Sequence, residues 1–154
     1  MNSPVQGADA GRGDRVPRAG VSVAVFRGGE VLLIQRGKGL YKGLWSLPGG
    51  AIQWGEKAAD AARRELEEET GLLALNLALG DVADAIFRES GGAVSAHFTI
   101  AVFATRDVSG ALAAGSDASG AGYFGRDARL RLACTPGLET AIENARLALE
   151  KSGQ

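Results

Sequence analysis

Four of the five residues from 65 to 69 are glutamates, in the run Arg64-Glu65-Leu66-Glu67-Glu68-Glu69-Thr70-Gly71. On a helix, at about 100° per residue, Glu68 and Glu69 fall about 60° behind and about 40° ahead of Glu65, and Glu67 lies about 200° away. Glu65, Glu68 and Glu69 therefore share one face and Glu67 looks to solvent, while Ala62 and Leu66 are left to pack against a sheet. A charge run is ordinarily just a solvated face. Here it would be a destabilising one: like charges four apart repel, and anions in a last turn oppose the macrodipole by roughly 0.3–1 kcal/mol each. Carboxylates gathered against their own repulsion point to a cation. An all-oxygen donor set suits Mg²⁺ or Mn²⁺ better than zinc.

The helix that must carry them spans 57–70 and consists of strong helix formers, with Gly71 as a left-handed cap. Ahead of it, Val21, Val23 and Val25 alternate with small residues, Arg27-Gly28-Gly29 marks a turn, and 31–35 runs back as the second strand of a hairpin. Residues 36–44 read as a Gly- and Lys-rich loop, and 45–47 as a short strand stopped by Pro48-Gly49-Gly50. Two further strands, at 79–88 and 94–105, flank Gly91-Gly92, and the aperiodic stretch 106–122 predicts a surface loop. Thr135 as N-cap and Pro136 in the first turn open a second helix. Its buried stripe is Leu138, Ile142, Ala145 and Leu149. These elements predict an α/β fold, a mixed sheet with helices packed on it. Residues 1–18, rich in Gly, Pro and charge, predict a flexible tail, which leaves 19–154 as a single domain.

Composition narrows the function classes. The 154 residues suit one domain. With 17 Lys+Arg against 18 Asp+Glu, the net charge of −1 lacks the footprint of a protein that grips a nucleic-acid polymer. No apolar run approaches a membrane span, and the first 18 residues lack the apolar core of a signal peptide. The single Cys134 cannot form an intrachain disulfide and fits a reducing compartment. The expected location is cytoplasmic, away from any membrane.

The stretch Gly50-AIQWG-Glu56-KAADAAR-Arg64-Glu65-Leu66-Glu67-Glu68-Glu69-Thr70-Gly71-Leu72 resembles the Nudix box. That pattern is Gly, five residues, Glu, seven residues, Arg-Glu-aliphatic-any-Glu-Glu-any-Gly-aliphatic, and every specified position matches. Seven fixed positions at about 7% frequency each give a chance match on the order of 10⁻⁸ per start site. The approach Gly43-Leu44-Trp45-Ser46-Leu47-Pro48-Gly49-Gly50 is also similar to the family's. The resemblance implies the Nudix fold, a mixed sheet sandwiched between helices (α/β/α). It also implies Mg²⁺- or Mn²⁺-dependent hydrolysis of a nucleoside diphosphate linked to another moiety. Glu65, Glu68 and Glu69 match the family's metal-binding glutamates, and the Gly49 carbonyl matches a common backbone ligand. One of these carboxylates, or another from a loop, would act as general base. Arg64, four residues before Glu68, either orients that ligand or forms a plain helix salt bridge. Its place in the box favours orientation. Glu56, near the helix start, is read as structural or as an outer partner of the ligand set, and Gln53 stands where many relatives carry Glu.

Weaker signals lie outside the box. Arg36, Lys38 and Lys42 are candidates for diphosphate contact. Trp45, Trp54 and Phe87 are candidates for stacking on a base, against the default of burial. Asp84, Glu89 and Asp117 are candidate extra bases or metal ligands, and His97 reads as a satisfied core or sheet-surface histidine. The overall layout is similar to bacterial ADP-ribose pyrophosphatase-like members, so ADP-ribose or a nucleotide-sugar is the first substrate expected. The alternative is a nucleoside triphosphate, as in nucleotide-pool sanitising. A non-catalytic nucleotide sensor would be expected to show a broken glutamate set, and the set here is complete. An acidic interaction scaffold leaves Gly50 and Glu56 at box spacing unexplained. The expected partner is thus a small nucleoside diphosphate derivative, with a homodimer left open.

Overall fold

The computed structural model describes residues 15–115 and 117–153. Most of the expected tail, residues 1–14, lies outside the described residues. In chain order the strands are β1 (Arg18–Arg27), β2 (Glu30–Arg36), β3 (Trp45–Ser46) and β4 (Gly49–Ala51). Helix α1 (Ala58–Thr70) follows. Then come β5 (Leu73–Ala74), β6 (Ala78–Arg88), β7 (Val94–Thr105), β8 (Val108–Ser109), β9 (Ala118–Gly125), α2 (Arg126–Arg129) and α3 (Leu138–Ser152).

Seven strands form one mixed sheet, and β5 pairs with β8 in a small separate ribbon. The long β1 is its axis. It runs parallel to β7 from Arg18↔Phe98 to Val25↔Thr105, turns back antiparallel into β2, and carries β4 beside its first half through Ser22↔Gly49 and Gly20↔Ala51. β6 forms one edge, antiparallel to β7, and β9 pairs with β2 at the opposite side.

Alternation along β1 divides the core in two. Val21, Val23 and Val25 pack with Leu32, Phe103 and the Ala61, Ala62 and Leu66 stripe of α1. Ala24 and Phe26 pack with Leu33, Val102 and the Leu138, Ile142, Ala145 and Leu149 stripe of α3. A sheet apolar on both faces needs a helix on each, and the result is the expected α/β/α sandwich. Leu66 is fully buried, so truncation to Ala would cost about 2–5 kcal/mol.

Two local expectations need correction. The 106–122 segment is not all loop, because it contains β8 and the first half of β9. Its small residues are a packing requirement: a Cβ on Gly120 would stand 3.1 Å from the Trp45 ring, and one on Gly122 3.3 Å from the Phe124 ring. Helix α3 is capped by Gly137, at φ 79°, and not by Thr135 with Pro136 in the first turn. The Thr135 N–H is instead taken by the Trp45 carbonyl at 2.9 Å, which ties this segment to β3 before the helix can begin.

Candidate active site

Helix α1 ends as its sequence demands. Gly71 adopts the left-handed conformation and its N–H bonds the Glu67 carbonyl, while the buried Thr70 hydroxyl donates to the Leu66 carbonyl at 2.6 Å. This firm end fixes where the last-turn carboxylates point. Glu67 is exposed, as expected. Glu65 and Glu69 lean inward over β4. A Cβ on Gly50 would lie 2.4 Å from the Glu65 carboxylate, so that carboxylate occupies the space a side chain would need. Glu69 is 8% exposed, and its Oε2 accepts the Gly49 N–H at 2.9 Å. Burial pushes the Glu69 carboxyl up to about 7, with the Glu65 charge adding to the rise while the Gly49 hydrogen bond and Arg36 oppose it. Glu68, on the rim, is more than half exposed.

Arg64 does more than the sequence suggested. It grips Glu56 through two bonds, Nε at 2.8 Å and Nη2 at 3.0 Å, a planar fork on a carboxylate. Nη1 reaches Glu65 at 2.8 Å and Glu68 at 3.3 Å, and Nη2 also donates to the Ala51 carbonyl at 3.0 Å. Arg64 thereby joins α1, β4 and the intervening loop. It lowers the Glu56 pKa below the usual carboxylate value, with help from the Gln53 N–H. Glu56 is thus the anchor of the guanidinium that positions two of the three site glutamates.

Glu65, Glu68 and Glu69 share one helix face, yet among the described residues no three His, Cys, Asp or Glu side chains converge on a single point. The reason is their partners: Arg64 draws Glu65 and Glu68 to itself, and the Gly49 N–H draws Glu69 inward. The donor chemistry nonetheless fits a hard divalent cation, since carboxylate and carbonyl oxygens border the side-chain-free surface of Gly49 and Gly50.

On the other side of β4 lies a cavity of about 380 Å³. Gly49 and Gly50 belong to its wall as well as to the acidic site. The remainder is mainly apolar and aromatic, with Tyr41, Phe87, Phe98, Ile100 and Leu138 prominent, and Arg36, Ser22, Ser46, Asp84 and Thr135 supply its polar side chains. Of the aromatic candidates only Phe87 is here: Trp45 packs edge-on against Phe124 in the core, and Trp54 is fully exposed. Of the loop cations, Arg36 lines the cavity and Lys38 pairs with Asp117 at 2.8 Å, while Lys42 is exposed and does not line the cavity. Glu89 lies in the β6–β7 turn. Asp84 Oδ1 accepts from the Thr99 hydroxyl at 3.0 Å and stands 3.5 Å from the His97 ring, so His97 is the sheet histidine expected. Tyr41 and Phe98 were missed. The one available signal was Tyr41's place between Gly39 and Gly43 in a loop rich in glycine.

A mixed sheet between two helices, with a carboxylate-bearing helix beside a Gly-Gly strand, defines a class of small α/β domain. The chain belongs to the Nudix family: the NUDIX domain model matches residues 16–129. An ADP-ribose pyrophosphatase of Methanocaldococcus jannaschii is 34% identical over 108 residues, which cover 70% of this chain and 62% of that one. The chain thus spans less than two thirds of that relative's length. The crystal structure of a MutT NUDIX hydrolase from Burkholderia pseudomallei is 30% identical, with TM-score 0.75, covering 84% of this chain and 98% of that one. The NUDIX domain of Shewanella oneidensis NrtR, solved with ADP ribose, shares the fold at 21% identity and TM-score 0.73 over 91% and 95% of the two chains.

Proposed function

We propose that the chain hydrolyses the diphosphate linkage of a nucleoside diphosphate joined to another moiety, with ADP-ribose or a nucleotide-sugar as substrate. The observation that carries this reading is the double role of β4. Gly50 lies against the Glu65 carboxylate and the Gly49 N–H donates to Glu69, and both glycines also wall a cavity large enough for a nucleoside. A substrate with its base in the cavity would cross β4 and present its diphosphate to the acidic face. The M. jannaschii relative, named for ADP-ribose, supports the substrate class.

Nudix hydrolases generally use a divalent metal. Here Glu65, Glu68, Glu69 and the Gly49 carbonyl would hold Mg²⁺ or Mn²⁺, which when bound neutralises diphosphate oxygens and makes a bound water more acidic. The chain's own residues do the positioning. Arg64 fixes Glu65 and Glu68 through its bonds to Glu56 and Ala51. The Gly49 N–H fixes Glu69. Arg36, at the cavity and within electrostatic reach of Glu69, is placed to meet a phosphate.

The test is a hydrolysis screen over ADP-ribose, nucleotide-sugars, nucleoside triphosphates, dinucleoside polyphosphates and NADH, with products identified. Cleavage of ADP-ribose to AMP and ribose phosphate, abolished by chelator and restored by Mg²⁺ or Mn²⁺, is expected. Turnover confined to triphosphates would move the chain to the alternative substrate class. Undiminished turnover after exhaustive metal removal would contradict the mechanism.

A further inference from the structure

Among the described residues, Tyr41 alone combines a side chain with positive φ, at 60°. Such backbone is costly for a bulky residue and gathers at functional sites. The loop that carries it is pinned. The Gly43 N–H bonds the Arg36 carbonyl at 2.7 Å, and Arg36 Nε donates to the Leu40 carbonyl at 2.8 Å. Held in this way, the Tyr41 ring lies 4.7 Å from Phe87, and Phe87 meets Phe98 edge-on at 6.4 Å. The three rings form one wall of the cavity. The wall offers π faces. Elsewhere the cavity carries the Arg36 guanidinium, whose Nε is taken by Leu40, and the hydroxyls of Ser22, Ser46 and Thr135. A hydroxyl both donates and accepts, so it does not tell one base edge from another. Among the described residues lining the cavity no Asn, Gln or Glu occurs, and Asp84 is the one carboxylate-bearing residue. Strand alternation places Asp84, paired with Thr99, on the opposite face from Ala85 and Phe87, and its Oδ1 takes the Thr99 hydroxyl. The Ser46 hydroxyl is engaged by the Leu47 carbonyl.

We infer that this wall is the nucleobase subsite and that it reads the base by its face, not by its hydrogen-bonding edge, with Tyr41 as the specificity-determining residue. The inference rests on the diphosphate reading above. Stacking accepts any base and strengthens with its π surface, so purines lead pyrimidines. A site that reads an edge rejects the wrong one by about 10⁴–10⁵-fold, and a pocket without those groups cannot.

Calorimetric titration with AMP, IMP and UMP tests the subsite without relying on turnover, alongside kcat/KM for ADP-ribose and its hypoxanthine counterpart. AMP and IMP, which differ in the base edge, should bind within about 5-fold of each other, and UMP about 10-fold more weakly. Tyr41→Phe should keep this pattern. Tyr41→Gly should erase the purine advantage while its melting temperature stays at or above the parent's, because glycine relieves the positive φ. A Tyr41 that matters only for folding would do the reverse. A preference between AMP and IMP above about 100-fold, no AMP binding at millimolar concentration, or a purine advantage that survives Tyr41→Gly overturns the inference. If the mononucleotide pattern holds but neither diphosphate is hydrolysed, the subsite stands and the diphosphate reading falls.

Discussion

The two faces of the sheet meet at β4 and work by different physics. On the α1 side the functional groups are carboxyls and a guanidinium, and they come from one 13-residue helix plus Glu56 just before it. Each is held by a charged or backbone partner, and Glu69 is buried at a cost that its raised pKa records. On the α3 side the groups are rings and aliphatic chains, contributed by the 36–43 loop, β6, β7 and the start of α3. Charge is local and demanding, so it imposes spacing on the sequence. A stacking surface asks only for area, and many chain paths can supply it.

The sharpest way to break this comparison is to neutralise the charged face one residue at a time. Glu68→Gln or Glu69→Gln should reduce turnover in Mg²⁺ by at least about 100-fold, the scale set by loss of a group that stabilises transition-state charge. Glu67→Gln, in the same turn but exposed, should leave turnover nearly intact. Equal losses in all three would mean that helix charge in general, and not the inward face, is at work.

A smaller effect should follow from crowding that face without changing its charge. In Gly50→Ala the new Cβ meets the carboxylate at the far end of the Glu65 side chain, so that carboxylate is pushed off its Arg64-held position and the fold survives. Turnover should fall about 10–100-fold, as expected when a reacting group is misplaced by about 1 Å, with little change in melting temperature. Unaltered kinetics would show that Glu65's position is not used.

The third effect is one of stability and carries a sign. Glu69 has its pKa raised in the folded chain from the ordinary 4.5 to about 7, so the ionised group destabilises the fold fully above pH 7. That penalty fades as pH falls toward 4.5. In chelator at pH 8, Glu69→Gln should therefore be more stable than the parent by about 1–3 kcal/mol, and near pH 4.5 the two should coincide. Denaturant midpoints at the two pH values decide it, and a difference independent of pH would contradict the burial argument.

How much of this was legible beforehand follows the same division. The α1 face could be read from spacing alone, because Glu65, Glu68, Glu69, Leu66 and Ala62 take their orientations from a single helical period. Arg64's attachment to Glu56, eight residues away, could not, since it needs the β4–α1 loop to fold back over the helix. β9 was hidden because Gly120 and Gly122 leave room for the rings of Trp45 and Phe124, and such packing has no signature of alternation. The α3 start was misplaced because the Thr135 N–H is taken by β3, a long-range contact that overrides a sound local cap signal. Tyr41 and Phe98 stayed invisible because their meeting with Phe87 exists only once loop, β6 and β7 are assembled.

The central claim is that water attacks phosphorus at the acidic face of α1 while the nucleoside sits across β4. It is tested most directly by hydrolysing ADP-ribose in ¹⁸O-labelled water with Mg²⁺ and locating the label by mass spectrometry. The expected result is one ¹⁸O in a phosphate group of AMP or of ribose phosphate, lost together with turnover in Glu69→Gln. Label found only on a ribose carbon, or product formed at the parent rate by Glu69→Gln, would contradict it.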